Sequence, residues 1–263
     1  MAISHSKSAD PAPTNDGYQI LQGRRYYWQS YGETQAEHTV LLLHHGLGSV
    51  RSWKRQIPAL EKQGWRIVAF DRWGYGRSDP RPAFEALFLH HESQAALDLM
   101  DALEINQASL VGHSDGGSIA ILMAAHAPER VQRMALVAAH VYVEPKMADG
   151  LRSIEEAAQR PALQRALARE HGGQARQLLQ AWLNGWRMHG RTTLDLERYL
   201  PLIECPTLVI QGLEDQHATQ QHALDLAAKI QQSTLWLIPN VAHMPMSEVP
   251  QAFNQRLISF LGS

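Results

Sequence analysis

Short, unbroken apolar runs recur along the chain, and between them lie stretches whose apolar residues fall three or four apart. Runs of the first kind have the length of strands covered on both faces, and stretches of the second kind have the period of helices with one packed face. Gln19-Ile20-Leu21 and Arg25 to Tyr31 read as two strands joined by a turn at Gly23. Thr39 to His44, Trp65 to Phe70, Ala108 to Val111, Met134 to Ala138, Thr207 to Gln211 and Thr234 to Ile238 follow as buried strands. Helices are predicted over Ser52 to Gln63, ending at Gly64, and over His90 to Leu103, where Ala95, Leu97, Leu99, Met100 and Leu103 make an apolar stripe. Three more are predicted over Ser118 to Ala125, Thr219 to Ile230 and Gln251 to Leu261.

Strands alternating with helices imply an α/β fold, a mostly parallel sheet with helices on both faces. The rhythm changes between about His140 and Glu204, a stretch rich in Arg, Gln, Ala and Glu that reads as several helices without a strand. The chain therefore divides into a polar N-terminal tail (1–17), an α/β core (18–139 and 205–263) and an inserted helical cap (140–204).

Composition narrows the function. The 263 residues carry a formal net charge of −2, which offers no electrostatic basis for binding nucleic acid or an anionic membrane. A single cysteine, Cys205, excludes an intramolecular disulfide and fits a reducing compartment. The tail has no apolar core of a secretory signal, and no run approaches the ~18 apolar residues of a membrane span. A soluble, cytoplasmic protein acting on a small molecule is expected. Nothing in the sequence sets an oligomeric state.

The chemistry begins at Gly112-His113-Ser114-Asp115-Gly116-Gly117, between a strand and a helix. G-x-S-x-G in that context is the pattern of a serine held on a sharp strand-to-helix turn. Serine is a weak nucleophile at neutral pH and needs a base that is itself oriented by a third group. Downstream, Asp215 lies just past the Thr207–Gln211 strand and His243 just past the strand ending at Ile238. Ser114, Asp215 and His243 would then share the carboxyl edge of the sheet, where open α/β folds place ligands. Glu214 is the rival acid, one residue before Asp215. His45-Gly46-Leu47-Gly48, after the third strand, supplies a glycine-flanked turn. The N–H groups of Leu47 and Asp115 are the expected oxyanion donors, each worth ~2.7–4 kcal/mol of barrier stabilisation.

With these stretches and Asp71-Arg72-Trp73-Gly74-Tyr75-Gly76-Arg77-Ser78 together, the chain resembles the capped α/β hydrolases from about Tyr18 to its C-terminus. The Gly-x-Ser-Asp-Gly-Gly elbow and Ala139 to Glu144 are most similar to the valacyclovir-hydrolase-like serine esterases, although those carry an aromatic residue where this chain has His113. The resemblance implies hydrolysis of a small ester-type carbonyl through an acyl-enzyme on Ser114, without cofactor, and favours Asp215 over Glu214. The same triad also serves lactonases and carbon–carbon-bond hydrolases, and a receptor with vestigial hydrolysis is a further alternative.

Asp115 has two readings. Its carboxylate either rests in the first helical turn, where the macrodipole favours it by ~0.3–1 kcal/mol, or binds a substrate ammonium at the pocket floor, as the resemblance to α-amino-acid-ester hydrolases implies. A negative charge beside an oxyanion hole requires a neutralising cation. Trp53, shortly after the oxyanion turn, is a further candidate for the pocket wall. Trp182 and Trp186 share a helix face that would pack on the core. His44, His90, His91 and His126 fall in strand or helix patterns that suit core or surface roles, and His217 and His222 are expected at the surface. Adjacent His90-His91 point in different directions, so no metal site is expected.

Overall fold

A computed structural model describes residues 10–189 and 194–263. Residues 1–9 of the predicted tail and residues 190–193 of the predicted cap lie outside the described residues. In chain order the elements are β1 (Asn15–Leu21), β2 (Arg24–Tyr31), β3 (Thr39–Leu43), α1 (Ile57–Glu61), β4 (Arg66–Phe70), α2 (Phe88–Ala102), β5 (Ala108–His113), α3 (Asp115–His126) and β6 (Val131–Val137). Then come α4 (Pro145–Ala157), α5 (Pro161–His171), α6 (Ala175–His189), β7 (Thr207–Gly212), α7 (Gln221–Lys229), β8 (Ser233–Ile238), α8 (Pro245–Glu248) and α9 (Pro250–Leu261).

The eight strands form one sheet in the order β1-β2-β4-β3-β5-β6-β7-β8. The β1–β2 and β2–β4 pairs are antiparallel, and every later pair is parallel. All five residues of β3 and all six of β5 are buried, as unbroken apolar strands in the middle of a two-faced sheet must be. One face is covered by apolar residues of α2, α3 and α7, among them Leu99, Ile121 and Leu226. The other is covered by Ile57 and Leu60 of α1 and by Phe253, Leu257 and Leu261 of α9.

Two local expectations change. The strand predicted from Gln19 begins at Asn15, so three residues assigned to the tail pair instead with β2. The helix predicted over Ser52 to Gln63 is two pieces, a 3₁₀ turn at Val50–Trp53 and the five-residue α1. Pro58 explains the break. It has no N–H to continue a helix from the preceding turn, but it suits the start of a new one.

The six strands β3–β8 run parallel toward one sheet edge, and the loops that leave that edge after β3, β5, β7 and β8 carry the sequence-predicted site residues. The helices α4–α6 stand over it.

Candidate active site

Ser114 joins β5 to α3 with φ 53° and ψ −117°. A non-glycine residue there is strained by ~1–3 kcal/mol, and close packing holds it. A Cβ on Gly116 would lie 2.1 Å from the Leu43 carbonyl oxygen, and one on Gly112 would lie 2.3 Å from that of Gly116. Only glycines let β3, β5 and α3 approach so closely. The peptide carbonyl of Ser114 accepts from the Gly117 and Ser118 N–H groups, so the helix starts at once. The N–H of Asp115 belongs to the first turn, where no intrahelical acceptor exists. Among the described residues it donates to no group, and neither does the N–H of Leu47.

Asp215 and His243 meet at the ends of β7 and β8. Nδ1 of His243 donates to Oδ2 of Asp215 at 2.7 Å. The same carboxylate accepts from Gln211 Nε2 (2.7 Å) and from the N–H groups of His217 (2.7 Å) and Ala218 (3.3 Å). Burial alone would push the Asp215 carboxyl up, but the bond and charge of His243 and the His217 N–H hold it well below the usual carboxylate range. A carboxylate accepts only, so the Nδ1 proton of His243 is fixed and Nε2 carries the lone pair. His113 Nε2 donates to the His243 carbonyl at 2.8 Å and anchors that loop from beneath the elbow.

Ser114 and His243 border one cavity of about 300 Å³ that also takes in Leu47, Asp115 and His45, and Asp215 lies behind His243, outside its lining. Its remaining walls are mostly apolar and come from α4–α6, including Met147, Leu151, Ile154, Leu167, Trp182 and Trp186. Trp182 and Trp186 thus pack on the core and line the cavity at once. The Asp115 carboxylate reaches the cavity already partnered. Its Oδ2 accepts from Trp182 Nε1 at 3.0 Å and from Arg72 at 3.4 Å.

Three expectations need correction. Trp53 is 1% exposed and lies in the core on the α1/α9 side of the sheet, against Tyr27, Val40 and Ile57, so it does not reach the cavity. His222 is fully buried, its Nδ1 accepting from the Val141 N–H at 3.3 Å, because the face of α7 that carries it packs inward. His217 lines the cavity with its ring 4.7 Å from that of His243.

Sequence reasoning missed Gln211, His140 and Glu170. Gln211 follows from the strand pattern only once Asp215 is placed; the other two carry no local signal. His140, buried at the end of the β6 loop, stacks 6.1 Å from the His243 ring, and Glu170 borders the cavity from α5. Among the described residues, no group of three or more His, Cys, Asp or Glu side chains is arranged to hold a metal ion, and no helix is long and apolar enough to cross a membrane.

Known proteins agree with this architecture. The profile of the alpha/beta hydrolase fold matches residues 39–176. Serine hydrolase BPHL of Mus musculus is 30% identical over 251 residues, covering 92% of this chain and 84% of its own, and BPHL of Homo sapiens is 30% identical over 248 residues, with the same coverage. The crystal structure of a hydrolase from Pseudomonas aeruginosa PA01 superposes with a TM-score of 0.77 at 27% identity, covering 95% of this chain and 99% of that one. The eight-stranded sheet, the glycine-walled elbow and these matches identify the chain as a hydrolase of the α/β-hydrolase family.

Proposed function

We propose that the protein hydrolyses small ester-type carbonyl substrates with an uncharged, apolar acyl group, through an acyl-enzyme on Ser114. The observation that carries this reading is that His243, bonded at 2.7 Å to the buried Asp215, borders the same mostly apolar cavity as the strained Ser114. His243 Nε2 takes the Ser114 hydroxyl proton as Oγ attacks the carbonyl carbon. The oxyanion rests on the N–H groups of Leu47 and Asp115. His243 then gives its proton to the leaving alkoxide, and the carbon–oxygen bond to it breaks. Water, deprotonated by the same Nε2, releases the acid and restores Ser114. Asp215 holds the imidazole and stabilises its cation. In this scheme α4–α6 form the cap, whose apolar side chains shape the acyl site.

The charge of the acyl group follows from Asp115. The cation that its position demands is Arg72, supplied from within the chain, so a substrate ammonium has no net negative charge to meet there. A panel of p-nitrophenyl esters tests the reading. Neutral acyl chains are expected to exceed isosteric α-amino acyl chains in kcat/KM by at least about tenfold, since burying an unpaired ammonium is costly. A preference for the α-amino esters would overturn the uncharged acyl group, and no Ser114-dependent turnover of any ester would overturn the reaction.

A further inference from the structure

The oxyanion turn is not held by its own sequence. The Gly48 N–H donates to the His45 carbonyl at 3.1 Å, and Leu47, third of the four residues, has φ 62°, whereas Gly46 is not in the positive-φ region. That combination is a type II turn, which normally places glycine or asparagine where this chain has leucine. A non-glycine residue in that region persists only where its surroundings hold it, so the turn that carries the Leu47 N–H depends on contacts from outside.

Two consecutive residues at the end of α5 anchor the outgoing arm of the turn, the Leu47–Gly48 peptide and the residue after it. His171 Nε2 donates to the Leu47 carbonyl at 2.9 Å, while its Nδ1 accepts the Gly76 N–H at 2.9 Å. A carbonyl only accepts and an N–H only donates, so both bonds require one neutral tautomer. Burial keeps the imidazole below its ordinary value. Glu170 accepts from Ser49 Oγ at 2.5 Å, two residues past Leu47. From α6, Trp182 covers the turn so closely that a Cβ on Gly46 would lie 2.5 Å from its ring.

We propose that His171 is a positioning residue that pins the turn carrying the Leu47 N–H in its place beside Ser114, so that docking of α5 completes the oxyanion hole. This rests on the reading of Ser114 and Leu47 given above. It makes the helical insertion part of the catalytic apparatus as well as a wall for the acyl group.

The test compares wild type with His171→Phe, which keeps the ring and loses both hydrogen bonds, and with His171→Gln, which keeps a donor near Nε2. The readouts are kcat and KM on one p-nitrophenyl ester, plus inhibition by a trifluoromethyl ketone and by the carboxylic acid of the same acyl chain. His171→Phe is expected to lose about tenfold to a hundredfold in kcat, at or below the ~10²–10³ of a deleted oxyanion donor. Affinity for the ketone, which forms an oxyanion, should fall by the same factor, while KM and acid affinity stay within about twofold. His171→Gln should stay within about threefold of wild type. If His171→Phe does not fold, His171→Asn, too short to reach Leu47, carries the same expectations. An unchanged kcat, or a fall in kcat without the matching fall in ketone affinity, would overturn the proposal. Fluorophosphonate reaction of the wild type separates the two levels: without modification of Ser114 the underlying reading fails, and with it an undiminished His171→Phe defeats the positioning role alone.

Discussion

The Arg72 guanidinium lies 3.4 Å from the Asp115 carboxylate, and neither side chain touches solvent. Arg72 also stacks over the Tyr75 ring, with its charge centre 4.3 Å from the ring centroid, and donates to the His45 carbonyl at 3.2 Å. The pair places an internal cation beside the first residue of α3 and leaves the cavity floor without net charge. An isolated buried charge costs several kcal/mol, and breaking such a pair by removing one partner typically costs about 3–5 kcal/mol. Arg72→Met is expected to destabilise the fold by that amount in urea unfolding, and Asp115→Asn added to it should recover most of the loss. If the fold survives, Arg72→Met should also raise kcat/KM for α-amino esters relative to neutral ones. Equal stability of Arg72→Met and wild type would mean that the pair carries no weight.

Asp215 receives four hydrogen bonds, two on each oxygen. Asparagine in its place keeps the size but presents an N–H₂ to one of those donors, and it no longer enforces the Nδ1–H tautomer of His243. Asp215→Asn is expected to lower kcat by about 10³–10⁴ with KM little changed, as loss of the orienting carboxylate does in other triads. Steady-state kinetics on a neutral ester checks this. Glu214→Gln is the companion variant, expected near wild-type activity, and the reverse outcome would move the acid one residue upstream.

Stability should depend on pH with a definite sign. Among the described residues nine histidines (His38, His44, His45, His90, His113, His140, His171, His217 and His222) are held below the ordinary 6.5, in each case chiefly by burial. His217 falls to about 4 and His45 to about 3. The unfolded chain therefore binds more protons than the folded one below about pH 6.5, and stability falls with pH through that window. Two carboxyls oppose the trend: burial lifts Asp71 to about 6 and raises Glu92, which favours the folded state as pH drops toward their ordinary values. Nine groups outweigh two. Tm is expected to be flat from pH 8 to 7 and to fall progressively below 6.5, and an unchanged Tm at pH 5 would contradict this.

The sheet was legible because its signal is local. Each parallel strand is an apolar run of about the right length, and Gly112 and Gly116 flag the elbow because no larger residue fits between β3, β5 and α3. Chain order and the shared sheet edge likewise brought Ser114, Leu47, Asp115 and His243 to one cavity. What failed depended on which way a side chain turns after packing. Trp53 follows the His45–Gly48 turn in sequence, yet it closes a 3₁₀ turn and lies in the core on the α1/α9 side of the sheet. His217 and His222 sit in a polar stretch that reads as surface, but the return of α7 to the sheet buries one and opens the cavity to the other. Nothing local marked His171, and nothing in the Asp71–Ser78 stretch set Arg72 against Asp115. Their partners lie 124 and 43 positions away in sequence, and only the fold brings the atoms together.

The central claim is that Ser114 is the nucleophile, and one measurement addresses it directly. The intact protein and Ser114→Ala are treated with a fluorophosphonate, digested, and mapped by mass spectrometry. One adduct is expected, on the peptide that contains Ser114, and it should be absent from Ser114→Ala together with esterase turnover. An adduct that persists in Ser114→Ala, or turnover that survives the substitution, would contradict the account.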